Sequence, residues 1–127
     1  MLVVRTYVAA SKINGLGVFA AQPIPRNHPV WVEHSIFNIV LTPEQVATLP
    51  PVSQDYIEKY AWTDDVGAQH IGVDADKYIN HSDDPNCGWV AAGAGISVAL
   101  RDIEADEEIT EDYKTYCNNP SAGNFDD

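Results

Sequence analysis

The sequence predicts a mainly β fold within a single domain. Most of its apolar stretches are short and rich in β-branched and aromatic residues, helical spacing is confined to two segments, and Gly, Pro, Asn and Asp recur between them. At 127 residues the chain is long enough to bury one hydrophobic core. We therefore expect many short strands joined by turns, with little helix.

The charge balance restricts the class of partner. The 19 acidic and 7 basic side chains give a formal net charge of −12, so the chain and a nucleic-acid backbone would repel each other. A Lys/Arg-rich protein segment would be attracted, although acidity that only keeps the protein in solution is a simpler interpretation. We therefore expect a basic protein or peptide as partner and no direct contact with nucleic acid.

Hydropathy and cysteine content indicate the compartment. No apolar run approaches the length that spans a membrane, and the first residues lack the pattern of a signal sequence. Cys87 and Cys117 are too few for a disulfide framework or a cysteine zinc cluster, so both are expected to be free thiols. The sequence predicts a soluble, intracellular protein without a membrane partner.

β-branched and aromatic residues dominate the first third of the chain. They predict four strands, at residues 2–9, 18–20, 30–34 and 36–41. Asn14 and Gly15 supply the turn of the first hairpin, because both residues tolerate positive φ angles. Gly17 follows this turn and lets the backbone approach a neighbouring group closely.

Two short helices are predicted in the middle of the chain. Thr42 is a suitable N-cap, Pro43 fits the first helical position, and Gln45 can complete a capping box. Pro51, with the proline before it, would end this helix, and apolar residues at helical spacing predict the second helix over 53–60. A turn and a short strand are expected next, at residues 62–65 and 70–73.

The last third of the chain predicts a hairpin, a final strand and a tail. The hairpin is expected over 88–92 and 96–100 around a turn at 93–95, and the final strand ends at Thr110. Asp74 and Asp76 resemble the start of a calcium loop, but the required downstream Gly and Glu are missing, so Asp76 is predicted to cap a turn or helix. The folded domain is placed at residues 1–117, and the acidic tail at 118–127 is expected to be flexible.

One strongly polar stretch lies between apolar neighbours. Residues 78–87 (YINHSDDPNC) contain two Asn, two Asp, a His and a Ser. Asn, Asp and Ser make poor helix interiors, because their side chains compete for backbone hydrogen bonds. A polar segment held by apolar anchors is typical of a binding loop on a rigid scaffold, whereas an Asx-rich turn between two strands is the alternative.

Three segments occur in a fixed order along the chain. They are residues 11–20 (SKINGLGVFA), 78–87 and 103–113 (IEADEEITEDY). With these segments the chain resembles the SET domain, the family of S-adenosylmethionine-dependent protein-lysine methyltransferases, over roughly residues 3–116. The resemblance implies a fold of several small curled β-sheets with short helices, in which the second and third segments form a knot-like crossing near the C-terminus.

The resemblance also implies a function and a set of site residues. The expected reaction is transfer of methyl groups from S-adenosylmethionine to the ε-amine of a lysine in a protein substrate, as in histone modification. Tyr113 is the implied catalytic residue, and its structural alternative is a buried tyrosine with a satisfied hydroxyl. The implied cofactor-binding residues are Gly15, Leu16, Gly17, Asn80, His81 and Tyr116. The implied substrate channel is lined by Tyr78, Trp89 and Glu111.

The implied chemistry is a one-step displacement that needs an aligned, uncharged amine in a dry site. Alignment of the reactants is worth up to ~7–11 kcal/mol. A free lysine has a pKa of about 10.4, and both an apolar channel and a neighbouring sulfonium favour its neutral form. Neither a metal nor a nucleophilic side chain is needed, so none is predicted.

The sequence departs from the family pattern at two places. Many members carry a zinc-binding cysteine cluster after the final tyrosine, whereas only Cys117 occurs here. No zinc is therefore predicted, and the channel wall would come from the tail, the substrate or a partner subunit in a homodimer. Glu111 stands where an aromatic residue often limits the number of methyl groups; it could receive a lysine ammonium, or Trp89 could fill that space. The main alternative function is a non-catalytic SET-fold module that binds a peptide or the cofactor without turnover.

Overall fold

Short strands are the predominant secondary structure over residues 1–90 and 95–115, which are the residues that the structure, a computed structural model, describes. The strands are β1 (Thr6–Ala10), β2 (Leu16–Ala20), β3 (Pro29–Val32), β4 (Asn38–Leu41), β5 (Trp62–Thr63), β6 (Gln69–Gly72), β7 (Asn80–His81), β8 (Cys87–Trp89), β9 (Ile96–Ala99) and β10 (Glu108–Glu111). The helices are α1 (Pro43–Ala47) and α2 (Pro51–Tyr60), with 3₁₀ helices at Ala75–Tyr78 and Tyr113–Thr115. The predicted mainly β fold of several small sheets is confirmed.

The first sheet brings the second and third sequence segments together. Its strand order is β1-β2-β10-β7, and β10 runs parallel to β7, with Thr110 opposite Asn80 and Glu111 opposite His81. Parallel neighbours cannot be joined by a tight hairpin, so the chain between them crosses over through β8 and β9. Tyr113 lies two residues beyond the end of β10 and is therefore brought close to the start of β7, where Asn80 lies.

The other two sheets flank this crossing. One has the order β3-β9-β8 and the other the order β4-β6-β5. In the first of these, Ser97 on β9 is paired with both Trp31 on β3 and Trp89 on β8. Paired residues project from the same face of a sheet, so two tryptophans flank one buried serine.

The main core lies where the first two sheets meet. Its buried members are Val18, Ala20, Ile24, Val30, Ile79, Cys87, Ala99, Ile103 and Ile109. Ile79 and Ile109 in this core directly precede Asn80 and Thr110, so the polar site residues are anchored by buried neighbours on both strands. None of the helices in the described part of the chain is long and apolar enough to cross a membrane.

The structure corrects several predicted elements. Trp62 and Thr63 form strand β5 against β6 and are not part of a turn. The turn begins at Asp64, whose carboxylate accepts the backbone N–H groups of Val66 and Ala68. Pro51 begins α2 at its first position and does not end a helix.

The predicted role of Asp76 is also wrong. The cap of the 3₁₀ helix is Asp74, whose carboxylate accepts the N–H of Asp76 at 2.9 Å. Asp76 is turned inward and accepts the indole N–H of Trp31 at 2.8 Å. The sequence pattern correctly indicated that an Asp caps this helix, but the contact of Asp76 with Trp31 determines that Asp74 is the cap.

The predictions for Cys117 and for the tail at 118–127 concern residues outside the described part of the chain.

The capping box of α1 is confirmed and gives a stability prediction. The Thr42 hydroxyl accepts the Gln45 N–H at 3.1 Å, and the Gln45 side chain accepts the Thr42 N–H at 2.9 Å. We expect Thr42→Ala to lower the free energy of unfolding by about 1 kcal/mol, measured by urea denaturation. Thr48→Ala at the other end of α1 is the matched control, and an equal loss there would contradict a specific N-cap effect.

Candidate functional site

The side chain of Asn80 is the centre of a buried hydrogen-bond network. Its amide nitrogen lies 3.1 Å from the carbonyl oxygen of Asn14, 3.0 Å from that of Leu16 and 3.0 Å from a carboxylate oxygen of Glu108. Asn80 itself is only 5% exposed. One amide therefore connects the 14–16 turn of the first segment to the second and third segments.

Glu108 and Ser11 complete this network and were not singled out from the sequence. The Ser11 hydroxyl donates to the Glu108 carboxylate at 2.8 Å and accepts the N–H of Ile13 at 2.9 Å. A Cβ placed on Gly17 would lie 2.5 Å from a Glu108 carboxylate oxygen, so this position requires glycine unless Glu108 moves. Both residues stand inside the recognised segments, but only the folded chain shows that they face each other.

The two glycines of the first segment differ in their surroundings. Gly15 has a φ of +48°, the left-handed region that favours glycine, and a Cβ there would meet no atom within 4 Å. Its backbone therefore borders open space, beside the carbonyl groups that Asn80 holds. Gly17 is buried, and its role is to let Glu108 approach.

Tyr113 is buried and reaches back to the second segment. Its hydroxyl donates a hydrogen bond to the carbonyl oxygen of Ile79, the residue directly before Asn80. Its exposed fraction is 7%. The Tyr113 hydroxyl is thus fixed at the residue that directly precedes β7. A phenol oxygen that donates its proton can also accept a hydrogen bond.

His81 connects the second segment to the backbone of Tyr113. The Tyr113 N–H donates to Nδ1 of His81 at 3.1 Å, and Nε2 of His81 lies 2.9 Å from the Asp83 carboxylate. This pattern assigns the proton of the neutral ring to Nε2. Lys114 binds the same carboxylate at 3.0 Å, and the hydrogen bonds from Lys114 and His81 lower the pKa of Asp83.

His81, Asp83 and Asp112 also satisfy the spacing of a metal site. Their ligand atoms lie within 4.8 Å of one another. Both ring nitrogens of His81 already have hydrogen-bond partners, and Lys114 holds Asp83. The arrangement is therefore an ion-pair and hydrogen-bond network that joins the two segments.

Glu111 is a buried carboxylate beside tryptophans. It is 5% exposed and accepts the hydroxyl of Ser97 at 3.3 Å. Because Ser97 is paired with Trp31 and Trp89, the carboxylate lies on the face from which both indoles project. Trp89 also contacts Trp62 edge to face, with ring centroids 5.8 Å apart.

Tyr78 and Tyr116 are the remaining residues that the sequence predicted for the site. Tyr78 packs edge to face on Tyr60, with centroids 5.7 Å apart, and Tyr116 lies outside the described residues. Burial raises the pKa of the Cys87 thiol, which keeps it protonated and unsuited to nucleophilic chemistry. The structure therefore groups Asn80 with the Gly15 turn, His81 with Tyr113, and Glu111 with Trp89.

Asp76 gives a prediction for the pH dependence of stability. Burial raises its pKa from the usual 3.8 to about 6, and the negative charge of Asp74 acts in the same direction. Because the folded state holds this proton more tightly, its stabilising effect is present at low pH and is lost as the pH rises from about 4 to about 6. Asp76→Asn mimics the protonated form and can still accept the Trp31 N–H.

We expect the stability advantage of Asp76→Asn over the wild type to grow between pH 4 and pH 6 and then to level off. Urea denaturation at a series of pH values measures this difference. The exposed Asp55→Asn is the control and should show no such trend. A constant difference across the range would contradict the assignment to Asp76.

Comparisons with known proteins agree with this architecture. The profile of the SET domain family matches residues 15–114. A protein of Plasmodium falciparum (isolate 3D7), named as a candidate histone-lysine N-methyltransferase, is 31% identical over an alignment of 124 positions. The match covers 87% of this chain and 2% of the relative. This chain thus spans a very small part of that relative.

A solved structure is similar in fold. It is the crystal structure of a candidate histone methyltransferase of Plasmodium falciparum, with a TM-score of 0.60 and 21% identity. The match covers 87% of this chain and 93% of the other. The family resemblance derived from the three sequence segments is confirmed by these matches.

Proposed function

The chain belongs to the SET domain family, and from this premise we propose that it is an S-adenosylmethionine-dependent protein-lysine N-methyltransferase that acts on a protein substrate such as a histone. The observation that carries the proposal is the hydrogen bond from the Tyr113 hydroxyl to the Ile79 carbonyl. It joins the proposed catalytic residue to the position directly before Asn80, in the proposed cofactor segment. The reacting groups would thus meet where β7 and β10 lie side by side.

The residues around Asn80 suit S-adenosylmethionine. Gly15 leaves its backbone open to a ligand, and the half-buried Glu108 carboxylate beside the Asn80 amide suits the ammonium of an amino-acid group. The backbone of His81 would bind the adenine edge, and Tyr116 remains a proposal for the adenine face. When bound, the cofactor supplies a methyl group on a positively charged sulfur.

Tyr113 would orient the amine and the methyl group. Its hydroxyl proton is engaged with Ile79, so the oxygen can accept a hydrogen bond from the amine or a weak C–H contact from a polarised methyl group. The buried setting of Tyr113 and Glu111 excludes water. Loss of solvent favours the uncharged amine, which is the form that can attack.

The acidic surface supports a basic substrate. A net charge of −12 would draw a Lys-rich segment toward the protein, and this attraction would weaken as salt rises. The Plasmodium falciparum relative is named for activity on histone lysines, and histones are the first substrates to test. The substrate groove would use Tyr78, Trp89 and Glu111.

The test is cofactor binding followed by methyl transfer. Calorimetry with S-adenosylmethionine comes first, and then mass spectrometry of core histones and of a whole proteome after incubation with isotope-labelled cofactor. Transfer to lysine by the wild type but not by Tyr113→Phe is the expected result. Binding without transfer to any protein would favour the non-catalytic module, and no binding at millimolar cofactor would refute the proposed methyltransferase.

A further inference from the structure

We propose that strand β4 is a self-association surface, through which two copies of this chain pair edge to edge as antiparallel strands. The edge segment is defined here as residues 36–41, which contain β4 and the two residues before it. The inference concerns assembly and does not depend on the proposed function. It assigns a second copy of the chain to a surface that the proposed methyl transfer does not use.

Strand β4 lies at the edge of the β4-β6-β5 sheet. The Val73 N–H donates to the carbonyl oxygen of Phe37 at 3.0 Å, so Phe37 directs its backbone groups toward the β6 side. In an antiparallel pair, residues that bond to the neighbouring strand alternate with residues that do not. The backbone groups of Asn38 and Val40, one and three positions after Phe37, therefore point away from β6.

The outward backbone groups of β4 have no partner among the residues that the structure describes. Neither the N–H nor the C=O of Asn38 or Val40 is hydrogen-bonded within residues 1–90 and 95–115. An edge strand with unpaired groups is a template for another strand. A two-fold axis at Ile39 would pair Asn38 of each copy with Val40 of the other, with both backbone hydrogen bonds formed in each pair.

The side chains of the edge segment also leave apolar surface in contact with solvent. Ile36 is 76% exposed, and Ile39 and Val40 are 48% and 49% exposed. Asn38 and Val40 line an open groove of about 630 Å³ together with Ile96 and its neighbours. Pairing with a second copy would remove part of this apolar surface from water, which is a favourable contribution to association.

The edge segment lacks the features that usually protect a strand edge from pairing. Residues 35–43 contain no charged side chain, and the edge segment contains no proline. The opposite edge of the same sheet, β5, has two residues and is followed by Asp64 and Asp65. Short length and adjacent charge are common protections. An uncharged six-residue segment rich in β-branched residues is typical of strands that pair with their own copies.

The charge distribution favours a second copy over a basic partner. A Lys/Arg-rich chain would be attracted to carboxylates, and the edge segment contains none. Two copies with a net charge of −12 each repel one another, so they can approach closely only through a surface without charged side chains. Added salt screens this repulsion and should strengthen self-association, whereas it would weaken binding of a basic partner.

Sedimentation velocity of the full chain, over a series of protein and sodium chloride concentrations, tests the proposal. The average mass should rise with protein concentration from 13.9 kDa for one chain toward twice that value. Added salt should move this transition to lower protein concentration. A dimer that dissociates as salt is added would overturn the proposal. A chain that stays monomeric up to millimolar concentration would also overturn it and leave the edge to an extended segment of another protein.

Val40→Pro tests the outward N–H of β4. Proline removes this donor without removing a hydrogen bond to β6, because the Val40 N–H points away from that strand. The dissociation constant of the dimer should rise at least ~10-fold, equivalent to about 1.4 kcal/mol, since a backbone hydrogen bond is lost from each of the two pairs. Unchanged self-association in this variant would contradict the proposal.

Val8→Pro is the matched control on another sheet edge. Val8 lies in β1, the edge strand of the first sheet. The Ala21 N–H donates to the Arg5 carbonyl oxygen, so by the same alternation the Val8 N–H points away from β2. This variant should dimerise like the wild type. An equal loss of the dimer in Val8→Pro would refute the assignment to β4.

A second variant keeps the test valid if Val40→Pro does not fold, as judged by circular dichroism. Ile39→Glu would place two carboxylates opposite each other at the two-fold axis, where like charges are destabilising. Self-association should then be weaker than in the wild type, and the difference should be largest at low salt. Self-association equal to that of the wild type at low salt would overturn the proposal.

Discussion

Replacement of Tyr113 by phenylalanine is expected to lower kcat for the proposed lysine methylation by ~10²–10³-fold, the size of effect seen when one positioned polar group is removed from an active site. The hydroxyl is the part of the ring that would contact the reacting groups, and it is held by the Ile79 carbonyl. Affinity for S-adenosylmethionine should stay near that of the wild type. Labelled methyl incorporation and calorimetry measure the two quantities.

This substitution also removes a partner from a buried carbonyl group. Leaving the Ile79 oxygen unsatisfied should cost about 1–3 kcal/mol of stability. The kcat of the variant is therefore compared with that of the wild type at a temperature at which both are folded. Tyr7→Phe is the matched control, because Tyr7 donates to Asp106 at 2.8 Å on the exposed side of the first sheet. Unchanged kcat in Tyr113→Phe would remove this residue from the mechanism, whatever the control shows.

Replacement of Asn80 by aspartate is expected to destabilise the protein by about 3–5 kcal/mol at neutral pH, the cost of an uncompensated buried charge. The Asn80 amide nitrogen faces two carbonyl oxygens and the Glu108 carboxylate at 3.0–3.1 Å. Aspartate would place an acceptor where three acceptors need a donor. Urea denaturation measures the loss, and cofactor binding should be lost with the 14–16 turn.

The pH dependence of this variant identifies the cause. Two carboxylates this close cannot both be ionised easily, so at least one would have a raised pKa in the folded state. The folded state would then bind a proton that the unfolded state releases, and stability should recover as the pH falls toward 4. Asn27→Asp, the same change at an exposed position, should show neither effect. A deficit that does not change with pH would contradict charge repulsion as the cause.

Local interactions explain which elements were predictable. The turn at Asn14 and Gly15 and the capping box of Thr42 and Gln45 involve residues at most three positions apart, so their patterns are visible in the sequence. Trp62 was misassigned to a turn because the two-residue strand β5 exists only through its pairing with β6. Asp74 and Asp76 have the same side chain, and the distant Trp31 decides which of them turns inward.

The site shows the same division between local and distant contacts. By itself the sequence determined the family, since three segments in a fixed order are enough to identify it, and it supplied Tyr113, Asn80 and the Gly15 turn as proposals. Only the tertiary structure decided that Asn80 holds Asn14, 66 positions away, that Glu108 fills the space beside Gly17, and that Glu111 is buried against Ser97. The reason is physical: these contacts depend on strand register and on the parallel pairing of β7 with β10, which no pattern within one segment encodes.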